Sequence, residues 1–97
     1  MDNDSLKQAA RSWNLKADTV LKENGFKNFR DEPCVYIKKL DGLVIIVALY
    51  VDDFYVIYSH TSLKTELLNT LKLCFKIKDL GEARNCLGVR LERNWND

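Results

Sequence analysis

The sequence predicts an α+β fold in which an antiparallel sheet carries two helices packed on one face. Two segments repeat apolar residues at helical spacing, as amphipathic helices do. Between them lies an uninterrupted apolar run from Leu43 to Tyr50, which is typical of a central strand covered on both faces. Asp52 and Asp53 follow that run, and we expect them at a turn because adjacent buried carboxylates repel each other and lose their solvation.

The composition is that of one globular domain over residues 1–97, with 46% hydrophobic and 30% charged residues. The formal net charge of +1 excludes a strong overall attraction to nucleic acid or anionic lipid, so any such binding must use a local patch. No apolar run is long enough to span a membrane. The three cysteines, Cys34, Cys74 and Cys86, match no zinc-site spacing. We expect them to be reduced, half-buried thiols of an intracellular protein in the cytoplasm or nucleus.

The first predicted element is a helix that begins near Ser5 and ends before Gly25. Ser5 and Gln8 have the spacing of a capping box, and Gly25 is free to adopt the positive φ that often follows a last helical turn. The apolar stripe consists of Leu6, Ala9, Ala10, Trp13, Ala17, Val20 and Leu21. Lys7 and Arg11 lie on the opposite face near the helix start, where two cations oppose the helix dipole. A solvated face is the default interpretation of these charges, and an anionic partner is the alternative.

A three-strand meander is predicted after a polar loop from Lys27 to Pro33. Its strands are Cys34 to Lys39, Leu43 to Tyr50 and Phe54 to Tyr58. The last two are joined by a tight hairpin with Asp52 and Asp53 at its tip, their oxygens beside each other. Such oxygens suit Mg²⁺, which prefers hard ligands and keeps waters that a substrate's phosphates can replace. The alternative, which the dipeptide alone favours, is a solvated turn.

A second helix, capped by Thr61 or Ser62, leads to the last part of the sheet. Its apolar stripe consists of Leu63, Leu67, Leu68, Leu71 and Phe75. Leu87 to Leu91 alternates as a strand with one buried face. The order is α-β-β-β-α-β-β when the short segment from Lys76 to Asp79 counts as a strand.

Four stretches in register resemble the reverse transcriptase palm of copia-type LTR retrotransposons. They are Ser5 to Asn14, similar to that family's Gly-Leu-Lys-Gln-Ala-Pro-Arg-Ala-Trp helix; Asp31 to Ile37, similar to its Asp-Pro-Cys strand entry; Tyr50-Val51-Asp52-Asp53, similar to the polymerase hairpin; and Lys78 to Glu82 with Leu87-Gly88. Ser5 stands where the family has glycine, and Ala10 stands where it has proline.

The resemblance implies an RNA-directed DNA polymerase with an incomplete, ferredoxin-like palm. It implies that Asp52 and Asp53 are catalytic and hold Mg²⁺, which neutralises the incoming triphosphate and activates the primer hydroxyl. The implied partner is an RNA or DNA template-primer, with Lys7, Gln8 and Arg11 near the nucleotide and template. Tyr50 borders the carboxylates, where it either stacks on a base or packs within the sheet.

The resemblance also leaves one part unaccounted for. In the family a strand upstream of the first helix supplies a further aspartate, whereas only Met1 to Asp4 precede Ser5. We therefore expect the lone chain to be inactive. The alternative function is a host-retained module that binds nucleic acid or an unknown host protein. The sheet edge beside the hairpin is expected to be closed by the strand Leu87 to Leu91 or, in a homodimer, by a second copy of the chain.

Overall fold

The computed structural model describes the backbone of residues 2–92 and the side chains of residues 13–92. Over this range the elements are α1 (Asp2–Glu23), β1 (Lys27–Phe29), β2 (Glu32–Leu40), β3 (Leu43–Tyr50), β4 (Asp53–Tyr58), α2 (Thr61–Cys74), β5 (Ile77–Ala83) and β6 (Cys86–Leu91). The strands form one antiparallel sheet in the spatial order β1-β2-β3-β4-β6-β5. The predicted α+β class with an antiparallel sheet and two helices is confirmed.

Both helices cover the same face of the sheet. Their apolar stripes and alternate strand residues form a single buried cluster, which includes Trp13, Ala17, Leu21, Ile45, Val47, Phe54, Val56, Leu63, Leu67, Leu71, Leu87 and Val89. Alternation along the strands explains this arrangement, because successive side chains point to opposite faces. Each fully buried aliphatic or aromatic side chain contributes about 1.5–3 kcal/mol relative to an exposed one.

The central strand β3 departs from prediction on its second face. β3 lies between β2 and β4, as its apolar run indicates. Ile45 and Val47 are buried under the helices, whereas Ile46 and Ala48 on the other face are only half-buried. Ile46 has aliphatic neighbours in register on both sides, Ile37 on β2 and Ile57 on β4. These cross-strand neighbours, rather than a second layer, shelter the apolar run within the described part of the chain.

The predicted loop from Lys27 to Pro33 contains a strand, so the observed order has one strand more than predicted. β1 pairs with β2, and Arg30 makes the turn between them with a φ of 56°. The side-chain amide of Asn28 donates to the carbonyl of Pro33 at 3.1 Å. A three-residue strand of mostly exposed residues carries no hydrophobic pattern, which is why its composition indicates a loop.

The helix α2 begins one or two residues earlier than the sequence suggests. Thr61 is already helical, and the cap residue is His60, which has extended backbone and makes no side-chain capping bond. The predicted capping by Thr61 or Ser62 is therefore wrong. The leucine stripe is confirmed, with Leu63, Leu67 and Leu71 buried.

The cysteines are more exposed than predicted. Cys34 and Cys86 are exposed, and only Cys74 is half-buried, while all three are free thiols. Cys86 alternates with the buried Leu87 and so lies on the face of the sheet that the helices leave uncovered, whereas Cys34 lies in the exposed first part of β2. Neither helix, over the residues described, has a stretch long and apolar enough to cross a bilayer.

The sheet edge beside the hairpin is closed within the chain. β6 pairs with β4 from Asp53 opposite Arg90 to Ile57 opposite Cys86. Of the two predicted alternatives, closure by the chain's own last strand or by a second copy of the chain, the fold contains the first. A homodimer formed by strand addition at that edge has no free backbone groups to pair with, and the outer strands of the described sheet are β1 and β5.

A hydrogen bond between Tyr36 and Asp18 ties α1 to β2. The Tyr36 hydroxyl, on a side chain that is 2% exposed, donates to Asp18 Oδ1 at 2.6 Å. Lys22 Nζ lies 3.2 Å from the same oxygen. The hydrogen bond from Tyr36, assisted by Lys22, lowers the pKa of Asp18, and burial together with Asp18 raises the pKa of Tyr36. Asp18 is thus an ionised acceptor at neutral pH.

We expect Tyr36→Phe to lower the free energy of unfolding by about 1–2 kcal/mol at pH 7, because it leaves a carboxylate without its phenolic donor. Asp18 has a lowered pKa in the folded state, so its stabilisation is present above the ordinary carboxyl pKa and is lost as the pH falls through the folded value. The deficit of the variant should therefore shrink at pH 2.5. Urea unfolding at both pH values measures it.

Tyr58→Phe is the matched control, since Tyr58 is a buried tyrosine whose hydroxyl does not reach Asp18. Its effect should be the same at both pH values. A deficit of Tyr36→Phe that is equally large at pH 2.5 would contradict the role of Asp18.

Candidate functional site

The candidate site is the β3–β4 hairpin, whose turn consists of Val51 and Asp52. Tyr50 pairs with Asp53 across the two strands, so Asp53 is the first residue of β4 rather than part of the tip. The prediction that both aspartates lie at the tip is therefore wrong for Asp53. Val51 has a φ of 53°, in the left-handed region that β-branched residues rarely adopt. Holding it there costs on the order of 1 kcal/mol or more, which the surroundings must offset.

Two hydrogen bonds hold the turn from outside the hairpin. The indole N–H of Trp13 on α1 donates to the carbonyl of Val51 at 2.8 Å. The backbone N–H of Leu91 on β6 donates to the carbonyl of Asp52 at 2.8 Å. Both carbonyls of the turn are thus fixed by elements that are remote in sequence. This clamp explains how the strained conformation of Val51 persists.

Aromatic packing fixes the indole that makes the first of these bonds. Trp13 meets Phe54 edge-on with ring centroids 5.0 Å apart and meets Phe75 edge-on at 5.8 Å. Edge-to-face pairs at such distances are favourable beyond their burial. The apolar body of Trp13 is therefore anchored in the core, and its N–H is left to reach the turn.

Asp53 lies on the face of the sheet opposite the helices and is largely buried, with 7% of its surface exposed. Its Oδ1 accepts a hydrogen bond from Arg90 Nε at 2.9 Å. Its Oδ2 accepts one from the Tyr55 hydroxyl at 3.0 Å and a longer one from Arg90 Nη2 at 3.4 Å. Arg90 stands directly opposite Asp53 in the β4–β6 register, and Tyr55 is two residues along the same strand. Strand geometry alone therefore brings the three side chains together.

The electrostatics of this cluster fix its protonation states. The hydrogen bond from Arg90 lowers the pKa of Asp53, and this effect, with a second hydrogen bond from Tyr55, outweighs the opposing effect of burial. The hydrogen bond to Asp53 in turn raises the pKa of Tyr55 and that of Arg90. At neutral pH the cluster holds one carboxylate, one guanidinium and one neutral phenol.

The other predicted site residues lie at different distances from this cluster. Asp52 is half-buried in the turn, and Tyr50, at the end of β3, is 67% exposed and therefore outside the buried core. A shallow depression is lined by Tyr50, Val51, Asp52, Asp53 and Arg90. The predicted nucleotide- and template-binding residues of α1 are Lys7, Gln8 and Arg11. They lie on the helix that carries Trp13, but their side chains are outside the described range.

Arg90 is the functional neighbour that sequence reasoning missed. The alternation of the last strand places Arg90 on the polar face of that strand, whereas the preceding residue, Val89, lies on the buried face. Its partner depends on which strand β6 joins and in which register, and neither is encoded in local sequence.

The oxygen donors at the hairpin fit Mg²⁺ in type, because this ion is usually held by one or two carboxylates together with waters and substrate phosphates. Among the described side chains no group of three or more histidine, cysteine or acidic residues could hold a metal ion. Asp52 and Asp53 are the two carboxylates that the hairpin would offer to such an ion. Both oxygens of Asp53 already accept hydrogen bonds, so Arg90 stands in the way of a cation.

Comparison with known proteins gives a consistent family. The family model described as reverse transcriptase (RNA-dependent DNA polymerase) matches residues 4–96. The retrovirus-related Pol polyprotein from transposon TNT 1-94 of Nicotiana tabacum is 37% identical over 89 residues, which are 91% of this chain and 7% of that protein. The putative transposon Ty5-1 protein of Saccharomyces cerevisiae is 30% identical over 91 residues, 94% of this chain and 30% of that protein. No solved structure matches the chain.

We expect Trp13→Phe to loosen the turn. The variant keeps an aromatic ring beside Phe54 and Phe75 but loses the N–H that bonds to Val51, and it should lower the free energy of unfolding by about 2 kcal/mol. The variant should also raise the hydrogen-exchange rate of the Leu91 amide more than the rates of amides in the middle of β4. The ratio of the two rates, measured by NMR, should therefore be higher than in the unmodified chain.

Phe75→Leu is the control for Trp13→Phe, since it shrinks the same aromatic cluster and leaves the indole N–H in place. It should lower stability without changing the ratio of Leu91 exchange to β4 exchange. An unchanged ratio in Trp13→Phe would show that the turn does not depend on the indole.

We expect the carboxyl group of Asp53 to titrate below the usual range for aspartate, as followed by carboxyl ¹³C shifts. Tyr55→Phe removes one donor and should raise this pKa, whereas Tyr50→Phe, at the exposed neighbouring position, should leave it unchanged. Since the folded pKa is lowered, Asp53 stabilises the fold above the ordinary carboxyl pKa, and this stabilisation is lost as the pH falls through the folded value. Equal midpoints in both variants would rule out the Tyr55 hydrogen bond in solution.

Proposed function

Because the chain belongs to the reverse transcriptase (RNA-dependent DNA polymerase) family, we propose that residues 1–97 are the palm-like domain of a copia-type retrotransposon polymerase, with Asp52 and Asp53 as its metal-holding carboxylates. The chain is a fragment of a retrotransposon reverse transcriptase domain. The observation that supports the roles of the two aspartates is the clamped hairpin, which fixes adjacent carboxylates at one end of the sheet.

The proposed roles follow from the chemistry of nucleotidyl transfer. Mg²⁺, when bound, supplies neutralisation of phosphate charge and activation of the primer hydroxyl. Asp52 and Asp53 would provide oxygens for it at fixed positions, since Trp13 of α1 and Leu91 of β6 hold the β3–β4 turn by hydrogen bonds to its two carbonyls. Tyr50 is exposed beside them, where its ring is available to stack on a base.

The nucleic-acid partner is proposed for the longer protein. In that protein Lys7, Gln8 and Arg11 of α1 would lie near the template and nucleotide. Positioning and charge stabilisation supply nearly all of the catalysis in phosphoryl transfer, and both need surfaces on several sides of the substrate. The chain spans 7% and 30% of the two relatives, and the hairpin of the described residues borders a shallow depression rather than a cleft. We therefore expect the isolated chain not to polymerise.

A second candidate function is favoured by the ion pair at the hairpin. Asp53 is neutralised by Arg90, a residue of the same chain, so the fold does not depend on a metal to bury this carboxylate. Such a fold suits a retroelement-derived module that the host retains for binding protein or nucleic acid without catalysis.

The test is to graft this chain in place of the matching segment of the tobacco polyprotein and to measure primer extension with template, nucleotides and Mg²⁺. Asp52→Asn and Asp53→Asn should each reduce extension by at least about a hundredfold, because each removes a charge that neutralises the transition state. Asp41→Asn is the control, since Asp41 lies in the exposed turn between β2 and β3. The isolated chain should give no extension.

Two outcomes separate the candidates. Extension by the graft that survives both asparagine substitutions would overturn the proposed roles of the aspartates. A graft that binds template-primer in a salt-dependent way but never extends it, while the unaltered relative does, would favour the binding module.

A further inference from the structure

The contact between Arg90 and Asp53 is built by the sheet itself. The β4–β6 register sets the two residues opposite each other, and the guanidinium reaches both carboxylate oxygens, at 2.9 Å through Nε and 3.4 Å through Nη2. The Asp53 side chain is 10% exposed, whereas that of Arg90 is 56% exposed. One partner is therefore fixed in the sheet, and the other lies over it from the solvent side.

From this geometry we infer that Arg90 is the resident counter-cation of Asp53 and must leave that carboxylate before a divalent cation can bind the hairpin. The inference rests on the proposed function for the metal-holding role of Asp53. It adds a positioning residue on β6, a strand that carries neither aspartate.

Competition follows from the space around the two oxygens. A Mg²⁺ ion lies about 2.1 Å from each ligand oxygen and requires a near-ideal octahedral arrangement. The Arg90 nitrogens approach the same oxygens, and the Tyr55 hydroxyl is a second donor at Oδ2, which makes three donors to the carboxylate in all. A guanidinium and a divalent cation at one carboxylate repel each other strongly at such separations, because they share a partly buried site. The two cations are therefore alternatives and not companions.

The exposure of Arg90 makes the exchange feasible. More than half of its side chain already faces solvent, so withdrawal costs its hydrogen bonds to Asp53 but little packing. Asp53 cannot withdraw in the same way, since it is the first residue of β4 and its side chain is only 10% exposed. A cation that binds there must therefore displace Arg90, and Asp53 stays in place.

The test uses the 97-residue chain and Mn²⁺ as the probe, with free Mn²⁺ counted by electron paramagnetic resonance. Arg90→Gln should bind Mn²⁺ about tenfold more tightly than the unmodified chain, because no competing guanidinium has to be displaced. Lys78→Gln is the matched control. Lys78 pairs with Arg90 across β5 and β6 and carries the same charge, but it makes no hydrogen bond to Asp53. It should change the affinity by less than about twofold, as expected for a screened surface charge.

Asp53→Asn in the Arg90→Gln background should abolish the gain. Equal affinities of Arg90→Gln and Lys78→Gln, both lost with Asp53→Asn, would overturn the counter-cation role and leave the proposed function standing. Binding that Asp53→Asn does not change would instead overturn the metal-holding role of the hairpin. Absence of Mn²⁺ binding by folded Arg90→Gln would overturn the inference as well.

A second measurement avoids any substitution, in case Arg90→Gln does not fold. In the unmodified chain the Nε–H proton of Arg90 should exchange slowly with solvent because it is bonded to Asp53. Adding Mg²⁺ until the Asp52 amide resonance stops shifting should raise that exchange rate towards the rate of a free arginine. A rate that remains low at that point would show that Arg90 stays on Asp53, and the inference would be wrong.

Discussion

The hydrogen bond from the Trp13 indole to the carbonyl of Val51 is the contact on which the arrangement of the hairpin depends. The turn contains a valine at positive φ, which is unfavourable by itself. A two-residue turn with such a residue persists only when its surroundings fix it. Trp13 supplies one fixed point from α1, and the Leu91 amide supplies the other from β6. The helix α1 and the strand β6 thus both bond to the turn of the β3–β4 hairpin.

Fixing the turn determines how two adjacent carboxylates are accommodated. Repulsion and lost solvation make a pair of aspartates costly at neighbouring buried positions. Here the pair is divided, with Asp52 in the turn and Asp53 at the start of a strand. The strand position brings burial, and the burial is offset by Arg90 and Tyr55 on the same face. The most buried charge of the hairpin therefore depends on strand register, and the register depends on the clamped turn.

Local sequence predicts the elements whose apolar residues recur at a regular period, and it misses the features that depend on which strands pair and in which register. The stripes of α1 and α2 and the apolar run of β3 are visible because burial imposes a period on them. β1 is missed because Lys27 to Phe29 gains its strand conformation from β2 and buries little. The hairpin is predicted near Asp52, but its register shifts Asp53 out of the tip, since Tyr50 pairs with it. Arg90 is missed for the same reason, because its partner lies 37 residues away on a strand chosen by the topology.

The ion pair also bears on why a polymerase-like hairpin can be stable before any metal binds. A carboxylate with 7% exposure and no counter-charge would favour unfolding or protonation. Arg90, on the neighbouring strand β6, offsets that penalty, so the burial of Asp53 is compensated by a side chain of the same chain. The same contact weakens any later binding of a cation at Asp53, because the ion must first replace a partner of comparable charge. Under the proposed metal-holding role, stable burial of Asp53 and tight cation binding are therefore opposing demands on one carboxylate, and an exposed arginine on a neighbouring strand reconciles them because it can withdraw into solvent.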